Sequence, residues 1–208
     1  MPQLAKSAEL LYVDEYLNLE AKSRIKHEYT DGKIFAMAGA SRNHSLIASN
    51  INRNVGNQVV PRGCEVHQSD LRVRVRDTHY VYPDIVVVCG EAFMAESGGD
   101  TLLNPLVIFE ILSKSTESRD RQSKASDYLA LDSLQEYDLV TQTKMQIEHF
   151  VRQSKKQWQL TIYTEAAEEI YFPSLDCRVT VEQIYQMVKF PALTPFAAKN
   201  QENAKRSS

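Results

Sequence analysis

Hydrophobic positions are densest in two short runs, Tyr-Pro-Asp-Ile-Val-Val-Val (Tyr82–Val88) and Pro-Leu-Val-Ile-Phe-Glu-Ile-Leu-Ser (Pro105–Ser113). Both are rich in β-branched residues and too short for helices, so the pattern predicts strands. Neither alternates cleanly: Leu106, Ile108 and Leu112 face one way, Val107, Phe109 and Ile111 the other. A strand apolar on both faces is covered on both, which makes these the central strands. Yet Asp84 opens the first, and Glu110 interrupts the second. A carboxylate inside such a strand is costly unless a cation or several donors compensate it.

Around that centre, Val13–Leu19 has the spacing of a short amphipathic helix, with Tyr12, Tyr16 and Leu19 on one face. Ile25–Thr30 and Lys33–Met37 flank Asp31-Gly32, a hairpin signal. Ile47, Ile51, Val55 and Val59 form the stripe of a helix that starts near Asn43-His44 and stops before Pro61. Leu71–Arg76 alternates, with Leu71, Val73 and Val75 against Arg72, Arg74 and Arg76; it predicts a strand with a solvated arginine row. A surface connection (Glu91–Asn104), the second central strand and a hydroxyl-rich loop (Ser113, Ser115, Thr116, Ser118) lead to a helix over Arg119–Leu131. Strands follow over Glu136–Val140, Met145–Val151, Gln157–Tyr163 and Glu169–Phe172, with a turn at Ser154-Lys155-Lys156, and then a helix over Val179–Val188. The expected fold is α/β or α+β, a mixed central sheet flanked by helices with an N-terminal helix and hairpin. One domain over 13–190 is expected, with an N-terminal extension (1–12) and a polar tail (191–208).

A chain of 208 residues is long enough for one well-buried domain. It has no apolar run near the roughly 18–20 residues that span a bilayer and no apolar signal core, so no membrane partner is expected. Cys64, Cys89 and Cys177 lie far apart in sequence and read as free thiols in a reducing cytoplasm. The net charge of −3 argues neither for nor against nucleic acid: a protein that coats DNA is usually basic overall, but an enzyme that touches DNA locally needs only a basic patch.

Asp84 and Glu110, with Lys124 on the next helix, have the composition of a site for a hard divalent cation, Mg²⁺ or Mn²⁺. The backbone carbonyl of Ile111 would complete the metal's shell. Lys124 would act as a point charge toward the attacking water or the scissile phosphate. Glu28 is a candidate further ligand or water orienter. Phosphodiester hydrolysis needs this set, a metal to activate water and cations for the charge developing on phosphorus. His44 and Ser113 are candidates for the substrate side, and Arg72 and Arg74 for bidentate phosphate contacts. Gln68 and Asp70 precede the arginine row as possible site neighbours, and Tyr128 is expected to pack against Leu131. Two plainer roles compete: Asp84 capping a turn, and Lys124 pairing with Asp120 on a helix surface.

The order Tyr-Pro-Asp, Phe-Glu-Ile-Leu-Ser, Arg-Asp-Arg-x-x-Lys-x-x-x-Tyr resembles the Uma2 family (formerly DUF820), which is abundant in cyanobacteria and placed among PD-(D/E)xK restriction-endonuclease-like proteins. His27–Ile34 and His44 fit the same pattern, and the likeness runs from about Val13 to Tyr185. The resemblance implies a restriction-endonuclease-like core and a metal-dependent endonuclease acting on nucleic acid, with DNA the expected substrate. By analogy with nucleases of this fold, a homodimer is expected. The motif's lysine would fall at position 112, which is Leu112; the resemblance implies that it has moved to Lys124. Lys114 lies four residues along from Glu110, about 13 Å by strand rise. A non-catalytic nucleic-acid-binding or adaptor protein on the same fold is the first alternative. The second is an acid–base enzyme in which Asp84 and Glu110 share a proton.

Overall fold

The computed structural model describes residues 10–37, 39–96, 99–113 and 124–191. Its largest sheet has six strands: β3 (Cys64–Gln68), β6 (Ile85–Cys89), β8 (Val107–Leu112), β9 (Glu136–Thr141), β10 (Ile147–Ser154) and β11 (Gln157–Tyr163), in the order β11-β10-β9-β8-β6-β3. Strand β8 is buried at every position and lies between β6, antiparallel to it, and β9, parallel to it. The two apolar runs are therefore interior strands, as their lack of alternation predicts. Their opposite faces enter different cores. Val107, Phe109 and Ile111 pack with Ile47, Ile51 and Val55 of helix α2 (Arg42–Val59), whereas Ile108 and Leu112 pack with Val73, Val81 and Tyr128.

A second sheet holds β1 (His27–Thr30), β2 (Lys33–Ala36), β4 (Arg72–Arg76), β5 (His79–Val81) and β7 (Thr101–Leu102), in the order β2-β1-β5-β4-β7. Its hairpin turns at Asp31-Gly32, where both residues take positive φ (47° and 87°), a conformation in which glycine meets no steric cost. Helix α1 (Val13–Glu20) packs on this sheet through an aromatic cluster of Tyr16, Tyr29 and Tyr80. Helix α3 (Ala125–Ala130), strands β12 (Glu169–Phe172) and β13 (Cys177–Thr180), and helix α4 (Val181–Ile184) complete the fold. The stripe Ile47, Ile51, Val55 and Val59 is wholly buried, and Pro61 falls in a 3₁₀ turn (Val60–Arg62) just past α2. No helix among the described residues is long and apolar enough to cross a membrane.

Several local expectations are corrected. In α1 it is Tyr16, Leu17 and Glu20 that turn inward, while Tyr12 is 79% exposed. Val179 pairs with Ile170 in β13, so the last helix begins only after Thr180 caps it and spans four residues. The strand expected from Met145 begins at Ile147. The arginine row is not uniformly solvated: Arg76 is exposed, but Arg72 is buried among Tyr16, Tyr80 and Thr101. Cys64 and Cys89 are not free thiols. They lie opposite each other on β3 and β6 and form a disulfide, leaving Cys177 as the free cysteine. Strand register brings together two residues that the linear spacing kept apart. Lys114, the hydroxyls at 115, 116 and 118, the helix start over 119–123 and the tail from 192 lie outside the described residues.

Candidate functional site

Three charged side chains from three elements meet beneath the second sheet. Glu28 comes from β1, Glu110 from β8, and Lys124 from the residue that opens α3; they are 4%, 3% and 6% exposed. The Lys124 ammonium lies 2.8 Å from Glu28 Oε1 and 3.2 Å from Glu110 Oε1. Burial of this kind is tolerated when opposite charges and donors compensate. The lysine is thus buried rather than at the surface, and Asp120, its expected helix neighbour, lies outside the described residues. Tyr128, one turn further along α3, donates its hydroxyl to Glu110 Oε1 at 2.7 Å. Burial first, and then the Glu110 charge, push the Tyr128 hydroxyl well above its ordinary pKa, so it remains a proton donor. Tyr128 packs on the helix as expected, but its polar end belongs to the site, which sequence reasoning missed. The spacing Lys124-x-x-x-Tyr128 places both on one helix face and is the signal that would have found it.

Asp84 sits one residue before β6. Ile85 pairs with Phe109, so one further step of the same register sets Asp84 opposite Glu110. Asp84 Oδ2 accepts the backbone N–H of Ile111 at 2.7 Å and lies 3.1 Å from His44 Nε2. Asp84 is thus more than a turn cap: it is tied to the strand that carries Glu110. The His44 and Asp84 side chains are 15% and 14% exposed, at the open side of the cluster. His44 stands in the first turn of α2, held there by the Ser41 cap. Ser41 donates to Gln142 Oε1 at 2.5 Å, and Gln142 Nε2 donates to the Leu112 carbonyl at 2.9 Å. Gln142 therefore fixes the start of α2 to the end of β8, a role with no signal in the sequence.

Helix α3 is anchored separately. Asp127 Oδ2 lies 2.5 Å from Nδ1 of His79 on β5, and Asp127 Oδ1 lies 3.5 Å from Nε of Arg76. Burial lowers the His79 pKa, with Asp127 opposing it. The pair holds the segment that begins with Lys124 against the second sheet. Of the expected phosphate contacts, Arg72 is occupied internally: its Nε donates to Thr101 Oγ1 at 2.9 Å. Arg74 lies opposite Tyr80, half-buried in the second sheet. Ser113 follows β8 directly and is half-buried, near the strand end that carries Glu110. The structure thus gathers Asp84, Ile111 and His44 on one side and Glu28, Glu110 and Lys124 on the other, and keeps Arg72 apart.

The donor set can be tested against a divalent cation. Asp84, Glu28 and Glu110 supply carboxylate oxygens, the donor type that a hard divalent cation takes. In an extended strand the N–H and C=O of one residue point to the same edge. The Ile111 carbonyl therefore shares the edge on which its N–H meets Asp84. Among the described residues, no group of three or more His, Cys, Asp or Glu side chains converges as a cage. An all-oxygen set of one or two carboxylates and a carbonyl fits a hard, water-rich ion such as Mg²⁺, which is held by few protein ligands.

A mixed six-stranded sheet with acidic residues facing each other across two interior strands, backed by the helix that Lys124 opens, defines an α+β fold. The structure superposes on a DUF820 protein of Anabaena variabilis, described as a "putative nuclease", with a TM-score of 0.69 at 20% identity, covering 84% of this chain and 97% of that one. Residues 13–182 match the family described as "Uma2: Putative restriction endonuclease", and the chain belongs to that family. Two uncharacterised Synechocystis proteins, slr1290 and sll1609, are 33% and 32% identical to it over 85% and 80% of this chain, and over 92% and 94% of their own lengths.

Proposed function

We propose that this chain is a metal-dependent endonuclease that hydrolyses phosphodiester bonds of nucleic acid, with DNA as substrate. The observation that carries the proposal is the buried Glu28–Lys124–Glu110 cluster, assembled from β1, β8 and α3 next to Asp84. Asp84, Glu110 and the Ile111 carbonyl would hold Mg²⁺ or Mn²⁺. Such an ion, when bound, supplies Lewis acidity toward a phosphoryl oxygen and lowers the pKa of water. Lys124 presents a fixed positive charge to the phosphate or the incoming water. Tyr128 holds Glu110 in place, and His44 orients Asp84 from the start of α2. Glu28 holds the ammonium from the opposite side, so that Lys124 keeps one position during turnover.

The chain would act in the cytoplasm as a homodimer that cuts both strands. Strand β11, the outer edge of the main sheet, supports pairing of copies: Gln157–Tyr163 carries no charge and exposes Leu160 and Ile162 at 46% and 52%. Edges left without charge or proline are open to strand addition.

The test is calorimetric binding of Mg²⁺ and Mn²⁺ to the wild type and to Glu110→Ala, followed by incubation with supercoiled plasmid. Metal binding lost in Glu110→Ala, with nicking abolished in Glu110→Ala and Lys124→Ala, supports the proposal. No binding at millimolar metal refutes it. One observation favours the non-catalytic alternative: Glu110 Oε1 is already engaged by both Lys124 and Tyr128. A protein of that kind would bind nucleic acid with a steep salt dependence and never cut it.

A further inference from the structure

A cleft of about 510 Å³ runs along the outer flank of α2, away from the carboxylate cluster. Helix α2 lends it Asn52, Arg53, Gly56 and Asn57, β3 lends Gln68 at the near end, and Pro61 closes the far end. The near end is connected to the site through the backbone. Gln68 is in register with Ile85, and the next residue, Ser69, donates its N–H to the Asp84 carbonyl at 3.1 Å. Along the helix, His44 touches Asp84 and Asn52 lies two turns further on, about 12 Å by helical rise. One helix therefore carries both a contact to Asp84 and the wall of the cleft.

The lining chemistry sets this cleft apart. Among the described residues its polar lining is three amides, the Ser49 hydroxyl and the Arg53 guanidinium, with no carboxylate, in a chain with 27 acidic residues. Arg53 is exposed; its Nη2 donates to Asn50 Oδ1 and Gln186 Oε1, each at 2.9 Å, which leaves the other guanidinium N–H groups to face a phosphate. A second cavity of about 320 Å³ next to β3 is lined instead by Glu65, Asp70 and Asp100, which would repel a phosphodiester. Asn52 Nδ2 and Gln68 Oε1 stand 3.4 Å apart across the near end, two amides already facing one another. Asparagine and glutamine match the donor–acceptor edge of a base, adenine best of all.

Gly56 adds an independent observation. Glycine inside a helix is unfavourable relative to alanine, so it calls for a local reason. Packing does not supply one. A Cβ at Gly56 would meet only Asn52 Oδ1 at 3.6 Å and Val66 Cγ2 at 4.0 Å, ordinary contact distances. What the missing side chain leaves is space in the cleft wall beside the amides.

From this geometry we infer that the cleft receives the nucleic-acid strand flanking the scissile phosphate, with Asn52, Asn57 and Gln68 reading base edges and Arg53 contacting a phosphate. This rests on the nuclease proposal and adds to it the path of the substrate and the residues that give it sequence preference.

The experiment is fluorescence anisotropy with labelled 30-nucleotide single- and double-stranded DNA of mixed sequence in EDTA buffer, so that binding is read without cleavage. Full-length wild type is compared with Gly56→Ala, Gln68→Ala and Arg53→Ala, and plasmid nicking is followed in parallel with Mg²⁺. Gly56→Ala should raise the melting temperature and yet weaken binding roughly tenfold, a combination that a purely structural glycine would not produce. Gln68→Ala should weaken binding by a similar factor without changing the salt slope. Arg53→Ala should reduce the slope of log K against log salt by about one. If the three variants bind and nick like a competent wild type, the cleft is not the substrate path and the nuclease proposal stands. If the wild type binds through the cleft but never nicks, the cleft assignment stands and catalysis falls. If the wild type neither binds nor nicks, both fall.

Discussion

Glu136, Asp138 and His149 form a charged cluster inside the main core, on the face of β9 turned away from the candidate site, and their protonation should govern stability. Asp138 and His149 are register partners on β9 and β10; His149 Nδ1 lies 2.8 Å from Asp138 Oδ1, and its Nε2 lies 3.4 Å from Glu136 Oε2. Glu136 Oε1 accepts the N–H of Ser174 at 2.8 Å and the Ser174 hydroxyl, linking the cluster to the turn between β12 and β13. All three side chains are at most 2% exposed. Burial, reinforced by the charge of Asp138 and opposed by Ser174, raises the Glu136 carboxyl from 4.5 to about 7. The native protein keeps this proton over a range in which the unfolded chain has lost it. The Glu136 contribution is therefore complete below pH 4.5, declines as the pH rises and is gone above about 7. A gap of about 2.5 pKa units corresponds to roughly 3 kcal/mol. Asp138 and His149 are raised as well, so their contributions run in the same direction. Glu136→Gln keeps an acceptor for Ser174 but removes the titration. Urea unfolding followed by the single tryptophan, Trp158, should show the wild type losing roughly 3 kcal/mol more than Glu136→Gln between pH 5 and pH 8. Equal pH slopes in the two proteins would refute this account of the cluster.

Three further outcomes follow from the site and the disulfide. Lys124→Met removes the ammonium that Glu28 and Glu110 share in the buried cluster and should lower unfolding free energy by about 3–5 kcal/mol in metal-free buffer, measured by denaturant titration; a loss below about 1 kcal/mol would mean that the lysine does not compensate them. Tyr128→Phe removes a buried donor from Glu110 and should cost about 1–3 kcal/mol, with slower plasmid nicking as the second readout. The Cys64–Cys89 bond closes a separation of 25 residues, so Cys64→Ser, or reduction of the wild type, should lower stability by about 3 kcal/mol, read as a fall in melting temperature.

Much of this protein is determined by local pattern. Runs apolar on both faces could only become interior strands, because such a surface must be covered twice, and β6 and β8 are buried accordingly. The fourfold spacing in α2 and the Asp-Gly turn of the first hairpin are equally local, since helical periodicity and positive φ are properties of a few consecutive residues. The candidate acids stood out because a carboxylate amid hydrophobes is costly, and that cost is visible residue by residue. What the tertiary structure decided depends on contacts between distant positions. The same alternation placed Arg72 with Arg74 and Arg76, and only the packing of Tyr16, Tyr80 and Thr101 around it made it a buried cation. Cys64 and Cys89 became neighbours through antiparallel register, Lys124 reached Glu28 because two sheets stack, and Gln142 joined β8 to the start of α2 from 30 and 101 residues away in sequence. A sequence shows what a residue must avoid. Which partner relieves that cost is settled only when strands choose their neighbours and sheets close over them.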